Sequence, residues 1–405
     1  SAPFAAITEA VKINTSTANA VTYDDLPAQD GLYYYRLVSL NNAGTPSDPT
    51  GQAQAASDSK LPHASVAYTP LGKVDAATGR IGQGKVNVAL TVTEALQSAP
   101  YFAVVPNGTA PISVELVKQD DTHYAGSFTI DQTAGSGTAN VLFSGRDMVG
   151  NRGTDVDAGA TLKIDTEGPS VIEIAITPTA PIKNDTAQTV TATFTLSKAM
   201  KSGEIPQVSY LLSGPVRSKV PVTGLTQLTA TTWRAGFTLP SDAGAGTPET
   251  FSFAYRGIDD LDNISTRIAT SNNRFQVYQG NLPPLDVPLG FKAEAKPGGK
   301  VRLTWLAVDQ AAAYQIYRQG PNDAVLLATQ KSTGVEYIDT PGPDGKYRYA
   351  VASVRQSNGQ ESLSGQSAVM EVTTSTNAPG APQNLALKLV GAGIQATWQP
   401  PLNST

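Results

Sequence analysis

The sequence predicts an all-β protein, a series of tandem β-sandwiches arranged as an elongated rod, and three observations predict it. Segments return at fixed offsets: Gly31-Leu-Tyr-Tyr-Tyr-Arg-Leu-Val-Ser-Leu40 reappears as Gly345-Lys-Tyr-Arg-Tyr-Ala-Val-Ala-Ser-Val354, with Tyr33, Tyr35 and Ser39 each 314 positions before Tyr347, Tyr349 and Ser353, and Tyr23 and Tyr337 on the same offset. Apolar residues alternate with a period of two, the pattern of a half-buried strand, and no long stretch keeps a helical period. Clusters of Gly, Pro, Asn and Asp separate these short runs, as in sandwiches. At 405 residues the chain exceeds one core, and about 100 to 200 residues per domain asks for several.

Residues 1–58 read as the back part of a module. Val21-Thr-Tyr-Asp-Asp25 is expected as one strand, the Tyr-rich segment as the next, and Asn41-Asn-Ala-Gly-Thr-Pro-Ser-Asp48 as a turn. Tyr33, Tyr35 and Leu37 would share one face and Tyr34, Arg36 and Val38 the other. The opening half of this module is expected to lie outside the segment. Residues 7–13 are the best helical candidate, although a strand is expected there. The linker Ala56-Ser-Asp-Ser-Lys-Leu-Pro62 follows, its proline unable to donate to a ladder.

Residues 59–166 form the next module. Val86, Val88, Leu90 and Val92 alternate on one face, and Ile112-Ser-Val-Glu-Leu116, residues 124–130 and residues 139–143 supply further strands. Residues 167–281 repeat the plan. Tyr124 and Phe128 precede Trp233 and Phe237 by 109 positions, while Gly145, Asp147 and Asn151 precede Gly257, Asp259 and Asn263 by 112. Two constant offsets are what a duplicated module with a small loop insertion gives. Leu282-Pro-Pro-Leu-Asp-Val-Pro288 opens a module over residues 282–376, and Ala378-Pro-Gly-Ala-Pro382 leads into residues 377–405, the expected front part of one more.

Val301-Arg-Leu-Thr-Trp305, Tyr314-Gln-Ile-Tyr-Arg318, the segment from Gly345 to Val354 and Ser362-Leu-Ser364 together resemble a fibronectin type III domain. The resemblance implies that Trp305 packs in the core and that Tyr347 or Tyr349 closes a corner. Residues 1–58 and 377–405 match the back and the front of the same pattern. The two central modules resemble bacterial immunoglobulin-like repeats through Gly145-Arg-Asp-Met-Val-Gly-Asn151 and the following Ile164-Asp-Thr-Glu-Gly-Pro169; the second copy departs by ending in Val277-Tyr-Gln-Gly280. Such folds host many unrelated roles, so the resemblance speaks to architecture before function.

Composition narrows the chemistry. The net charge of −5 is spread along the chain with charged residues at 16%, so no basic stripe is available to neutralise phosphates and nucleic acid is not an expected partner. No apolar run reaches the 18 residues of a membrane span. The opening residues lack the pattern of a secretion signal, so an export signal is expected outside the segment. With no cysteine, disulfides, thiolate metal sites and cysteine nucleophiles are excluded. The two histidines, His63 and His123 beside Asp120-Asp-Thr122, accompany no nucleophile motif, and no enzyme is expected. Gly135-Ser-Gly137 and Gly244-Ala-Gly246 lack the Lys-Ser/Thr of a phosphate loop and read as hairpin loops.

One constellation is rich in oxygen: Asp147, Asn151, Asp155 and Asp157 in the first immunoglobulin-like module, and Asp259, Asp260, Asp262 and Asn263 in the second. Calcium takes six to eight oxygens, and these acids near a linker carrying Asp165 and Glu167 would stiffen a joint between domains. Turn chemistry is the other reading, because Asp and Asn bond their own backbone. Calcium is therefore the one cofactor under consideration. Asn14, Asn107, Asn184, Asn263 and Asn403 open Asn-x-Ser/Thr sequons. The exposed aromatics Tyr34 and Tyr101 fit cross-strand packing or a sugar or protein contact. The expected role is a non-enzymatic spacer in a large extracellular or cell-surface protein, its partners being neighbouring domains of a longer chain. Two rivals are an adhesin, binding a receptor, a glycan or its own copies, and an accessory region of a secreted polysaccharide-degrading enzyme.

Overall fold

The computed structural model describes Pro3, Ala6, residues 9–14 and residues 21–401. The sequon at Asn403 and the first two residues of the 7–13 segment lie outside the described residues, and residues 9–13 hold no α-helix. Every element named below is a strand. No helix among the described residues is long and apolar enough to cross a membrane.

The strands gather around three separate cores, at residues 64–164, 171–277 and 291–351. The accessible surface is 23884 Å², whereas a single compact body of 42.2 kDa would expose about 15,000 Å². That excess is the surface of several small bodies in series. We refer to them as modules I, II and III, flanked by a hairpin at each end.

Module I is a sandwich of two sheets. One runs Val156–Ala158, Ala64–Pro70, Gly84–Val92, His123–Ile130 and Leu116–Lys118; the other centres on Gly137–Arg146 between Thr161–Ile164 and Tyr101–Val105. Val86, Val88, Leu90 and Val92 are all buried and their alternating neighbours are not, so the period-two pattern turns this face inward. The predicted strand 112–116 is two strands. Ile112–Ser113 pairs with Tyr101–Val105 in one sheet and Leu116–Lys118 with His123–Ile130 in the other. The chain changes sheet at Val114, whose N–H bonds Phe102 O at 3.0 Å while its side chain stays buried.

Module II repeats the design with a four-stranded and a six-stranded sheet. Thr189–Leu196 presents Val190, Ala192, Phe194 and Leu196 to a core that holds Tyr210, Phe251, Phe253 and Phe275. Phe194 meets Phe253 edge to face with ring centroids 5.0 Å apart, the orientation ring quadrupoles favour. In both modules a short strand closes one sheet in parallel, Arg80–Ile81 against Thr161–Ile164 and Ile182–Lys183 against Phe275–Tyr278.

Module III has no such parallel closure. Lys292–Lys296, Lys300–Thr304 and Glu336–Asp339 face a sheet of Leu327–Ser332, Ala313–Gln319, Gly345–Ser357 and Gln360–Leu363, with Met370–Thr374 also on Gly345–Ser357, all antiparallel. Trp305 is buried against Tyr314 with ring centroids 5.3 Å apart, as the fibronectin type III resemblance implies. Tyr347 is the corner residue, its hydroxyl donating to Pro343 O at 2.7 Å.

The flanking hairpins are Gly31–Tyr35 with Ala53–Ser57 and Gln383–Val390 with Gly393–Gln399. Residues 21–25 do not form the expected strand. Their counterpart Glu336–Asp339 pairs with Lys300–Thr304, and no strand among the described residues stands where that partner would be. Trp398 is exposed, in contrast to Trp305.

Candidate functional site

The features most closely shared by modules I and II lie where each meets the chain before it. In module I, Asp147 and Asn151 bracket a tight turn. Asp147 Oδ1 accepts the N–H groups of Val149, Gly150 and Asn151 at 2.9, 2.6 and 2.9 Å, and Oδ2 accepts Asn151 Nδ2 at 2.7 Å. In module II, Asp259 Oδ1 accepts the N–H groups of Leu261 and Asn263 at 3.0 and 2.8 Å, and Oδ2 accepts Asn263 Nδ2 at 3.2 Å. These are the Asp-to-backbone bonds that stabilise turns. Burial pushes the Asp147 carboxyl up, but the Asn151 amide and the backbone N–H groups outweigh it and hold it below the ordinary carboxylate value.

Each asparagine also reaches backward along the chain. Asn151 Nδ2 donates to Asp58 O at 2.7 Å and Asn263 Nδ2 to Asp165 O at 2.9 Å, so each module is stapled to the linker that precedes it. The linkers match residue for residue: Asp58 and Pro62 correspond to Asp165 and Pro169, and Ala64 and Val171 begin the first strands. Contact is close enough to require glycine. A Cβ on Gly153 would overlap the Pro62 carbonyl, and one on Gly168 would lie 2.5 Å from the Ile264 carbonyl carbon.

Two sets of ion pairs lie at the second joint. Lys198 Nζ bonds Asp165 Oδ1 and Oδ2 at 2.8 and 2.9 Å and Asp259 Oδ2 at 2.8 Å, which uses all three ammonium donors. Lys73 of module I and Lys201 of module II hold Asp262 at 3.0 and 2.6 Å. Asp260 accepts Ser202 N at 3.0 Å. At the first joint, one oxygen each of Asp58, Glu94 and Asp147 lie within 4.8 Å of one another. Burial and then the Asp58 and Asp147 carboxylates push the Glu94 carboxyl up.

The structure thus brings Asp147 together with Asn151 and Asp259 with Asn263, and separates the other acids. Asp155 and Asp157 are exposed, Asp157 pairing with His63 at 3.2 Å. Asp58 and Glu94 carry no local motif and were missed; the signal that finds them is the match of each linker and strand end to its copy. His123 Nδ1 faces both Asp120 oxygens at 2.9 Å on an exposed turn. Tyr101 is exposed at the start of its strand and Tyr34 is half-buried. The sequon asparagines Asn184 and Asn263 are wholly buried.

A third joint, between modules II and III, uses different means. Asn358 Nδ2 donates to Pro181 O at 2.9 Å and to Tyr278 OH at 3.1 Å, Tyr278 OH donates to Gln360 Oε1 at 3.0 Å, and Arg355 reaches Gln276 Oε1 at 2.7 Å and Pro283 O at 3.0 Å.

No protein-family model matches the chain, and no curated protein matches it. Among solved structures it is similar to the FN1–FN3 domains of chicken CNTN1, at 10% identity over 78% of this chain and 99% of that one, TM-score 0.27. A tetra-tandem repeat from the extending region of a large adhesion protein is 14% identical over 86% of this chain and 82% of that one, TM-score 0.27. An Fn3-like protein from Clostridium thermocellum is 29% identical over 21% of this chain and 90% of that one, TM-score 0.18. All three scores lie below 0.5, and the fold assignment rests on the sheets and cores described above.

Proposed function

We propose that the chain is a structural segment of a large extracellular or cell-surface protein, a row of sandwiches that holds other parts at a set spacing and direction. The observation that carries this is the repeated staple, Asn151 to Asp58 O and Asn263 to Asp165 O. Independent domains on a slack linker have no use for a buried amide committed to the linker backbone. Here the commitment recurs, and at the second joint six charged side chains reinforce it, Lys198 with Asp165 and Asp259 and the pair Lys73 and Lys201 with Asp262. The three cores supply length, the linkers supply little slack, and the staples set the angle between neighbours. Sandwich architecture alone does not argue for such a role; the joints support it.

Small-angle scattering of the whole chain tests the reading. A compact body of 405 residues has a radius of gyration of about 22 Å, and the expected value is well above it with a cross-section of one sandwich. Asn263→Ala should broaden the distribution of end-to-end distances while leaving each module folded. A compact particle, or a wild-type distribution already as broad as that of the variant, would defeat the proposal.

A further inference from the structure

A cleft of about 340 Å³ lies between modules II and III, in the range of small-molecule sites, about 300 to 1,000 Å³. Both modules and their linker line it: Arg274 and Gln276 of module II, Asp286 of the linker, and Asp309, Gln310 and Arg355 of module III. Arg355 is its buried charge, only 5% exposed. Burial pushes the guanidinium down, with the Tyr278 phenol as the one opposing influence, yet an arginine stays protonated in a protein. A charge taken out of water is costly unless an opposite charge answers it.

No carboxylate answers this one. Arg355 Nη1 donates to Gln276 Oε1 at 2.7 Å and to Pro283 O at 3.0 Å, and Nη2 to Gln310 Oε1 at 3.2 Å, all neutral oxygens. Arg217 and Arg318 are less buried, and yet the first pairs with Asp242 and Glu249 and the second with Asp339. A guanidinium has five donors; the three bonds of Arg355 leave Nε–H and one hydrogen of Nη2 without an acceptor. Nε and Nη2 form the side of the fork on which a carboxylate takes two parallel bonds. Nε is not closed off, in contrast to Trp305 Nε1, which is both unbonded and sealed from solvent.

We propose that this cleft binds a small organic acid in its ionised form, the carboxylate held side-on by the free Nε–H and Nη2–H of Arg355, with Arg274 supplying a second positive charge. The ligand brings the countercharge that the buried guanidinium lacks. Arg274 is exposed at the same cleft, so it draws an anion in without having been desolvated itself. Asp286 and Asp309 line the cleft as well, and their charges favour a ligand with one negative charge over a phosphate dianion. Because modules II and III both contribute, a bound acid bridges them and stiffens the third joint. The site is separate from the proposed spacer role and can fail while that role stands.

The arginine Nε–H signals in nitrogen–proton NMR spectra of the whole chain test it, with sodium acetate replacing sodium chloride at constant ionic strength. One Nε–H signal, missing from Arg355→Lys, should move saturably as acetate replaces chloride. Arg274→Ala should weaken the apparent affinity by up to about fivefold, the worth of an exposed charge pair, and Asp309→Asn should strengthen it. Arg274 and Asp309 are exposed, so these two variants keep the test decisive even if Arg355→Lys unfolds the joint. Doubly charged inorganic phosphate should bind more weakly than acetate. The proposal fails if no Nε–H signal moves, if the movement does not saturate, or if Arg274→Ala leaves the affinity unchanged. A preference for phosphate over acetate would overturn the assignment of a carboxylate.

Discussion

Gly31–Tyr35 and the start of Gly345–Ser357 carry the same hydrogen bonds at different depths. Tyr33 OH donates to Gln29 O at 2.7 Å and Tyr347 OH to Pro343 O at 2.7 Å; Tyr35 OH donates to Asp25 Oδ2 at 2.9 Å and Tyr349 OH to Asp339 Oδ2 at 2.8 Å. Leu37 N bonds Thr50 Oγ1 as Val351 N bonds Ser367 Oγ, both at 3.0 Å. Yet Tyr347 and Tyr349 are fully buried, while Tyr33 and Tyr35 are half-buried. The bonds belong to the hairpin and form wherever its sequence occurs. Burial belongs to the facing sheet, which Lys292–Lys296, Lys300–Thr304 and Glu336–Asp339 provide in module III.

The largest effect expected from this difference is in truncation. Tyr349→Ala should cost module III about 3 to 5 kcal/mol, the range for emptying a buried aromatic site, whereas Tyr35→Ala should cost well under about 1 kcal/mol. Hydrogen–deuterium exchange with mass spectrometry reads both segments in one molecule; equal losses of protection would break the comparison. A smaller change sharpens it. Tyr349→Phe leaves the buried Asp339 carboxylate with Arg318, at 2.8 Å, as its side-chain partner, and should cost about 1 to 3 kcal/mol. Tyr347→Phe should cost about 1 kcal/mol, and Tyr33→Phe less, since water can take the place of its acceptor.

Alkaline titration gives the gentlest probe. Burial, then the bond to Asp339, pushes the Tyr349 phenol up out of its usual range. Its folded value exceeds the unfolded one, so the stability it contributes is fully present below pH of about 10 and is lost as pH rises through the folded value. Absorbance of the tyrosinate should show Tyr349 ionising only with unfolding of module III, and Tyr349→Phe should flatten that loss. At the second joint the sign is opposite. Lys201 and then Lys73 hold the Asp262 carboxyl down, so its contribution is present above pH of about 4 and fades as pH falls through the lowered value. An inter-module distance that widened from neutral pH upward would contradict this.

Much of the architecture was legible in the sequence because a repeat writes its hydrogen bonds twice. The Asp-to-Asn turns were visible as two copies, and so was the Tyr-rich hairpin. Strand 112–116 misled for a physical reason: Ile112, Val114 and Leu116 all face the same interior, so the alternation continues while the backbone passes from one sheet to the other. Residues 21–25 misled because a strand needs a partner as well as a pattern. Asp58, Glu94 and Asp147 are far apart in the chain, and nothing local marks their meeting. Glu94 and Lys198 become comparable only when the strands that end in them, Gly84–Val92 and Thr189–Leu196, are laid over each other.

The burial of Asn263 bears on where the chain can be made. Its amide has both donors engaged, to Asp165 O and Asp259 Oδ2, and no exposed surface; Asn184 is likewise buried, on Pro240 O and Ala243 O. An oligosaccharide could reach either amide only before its module folds. A sugar on Asn263 would take one of those donors, so glycosylation before folding and closure of the second joint exclude each other.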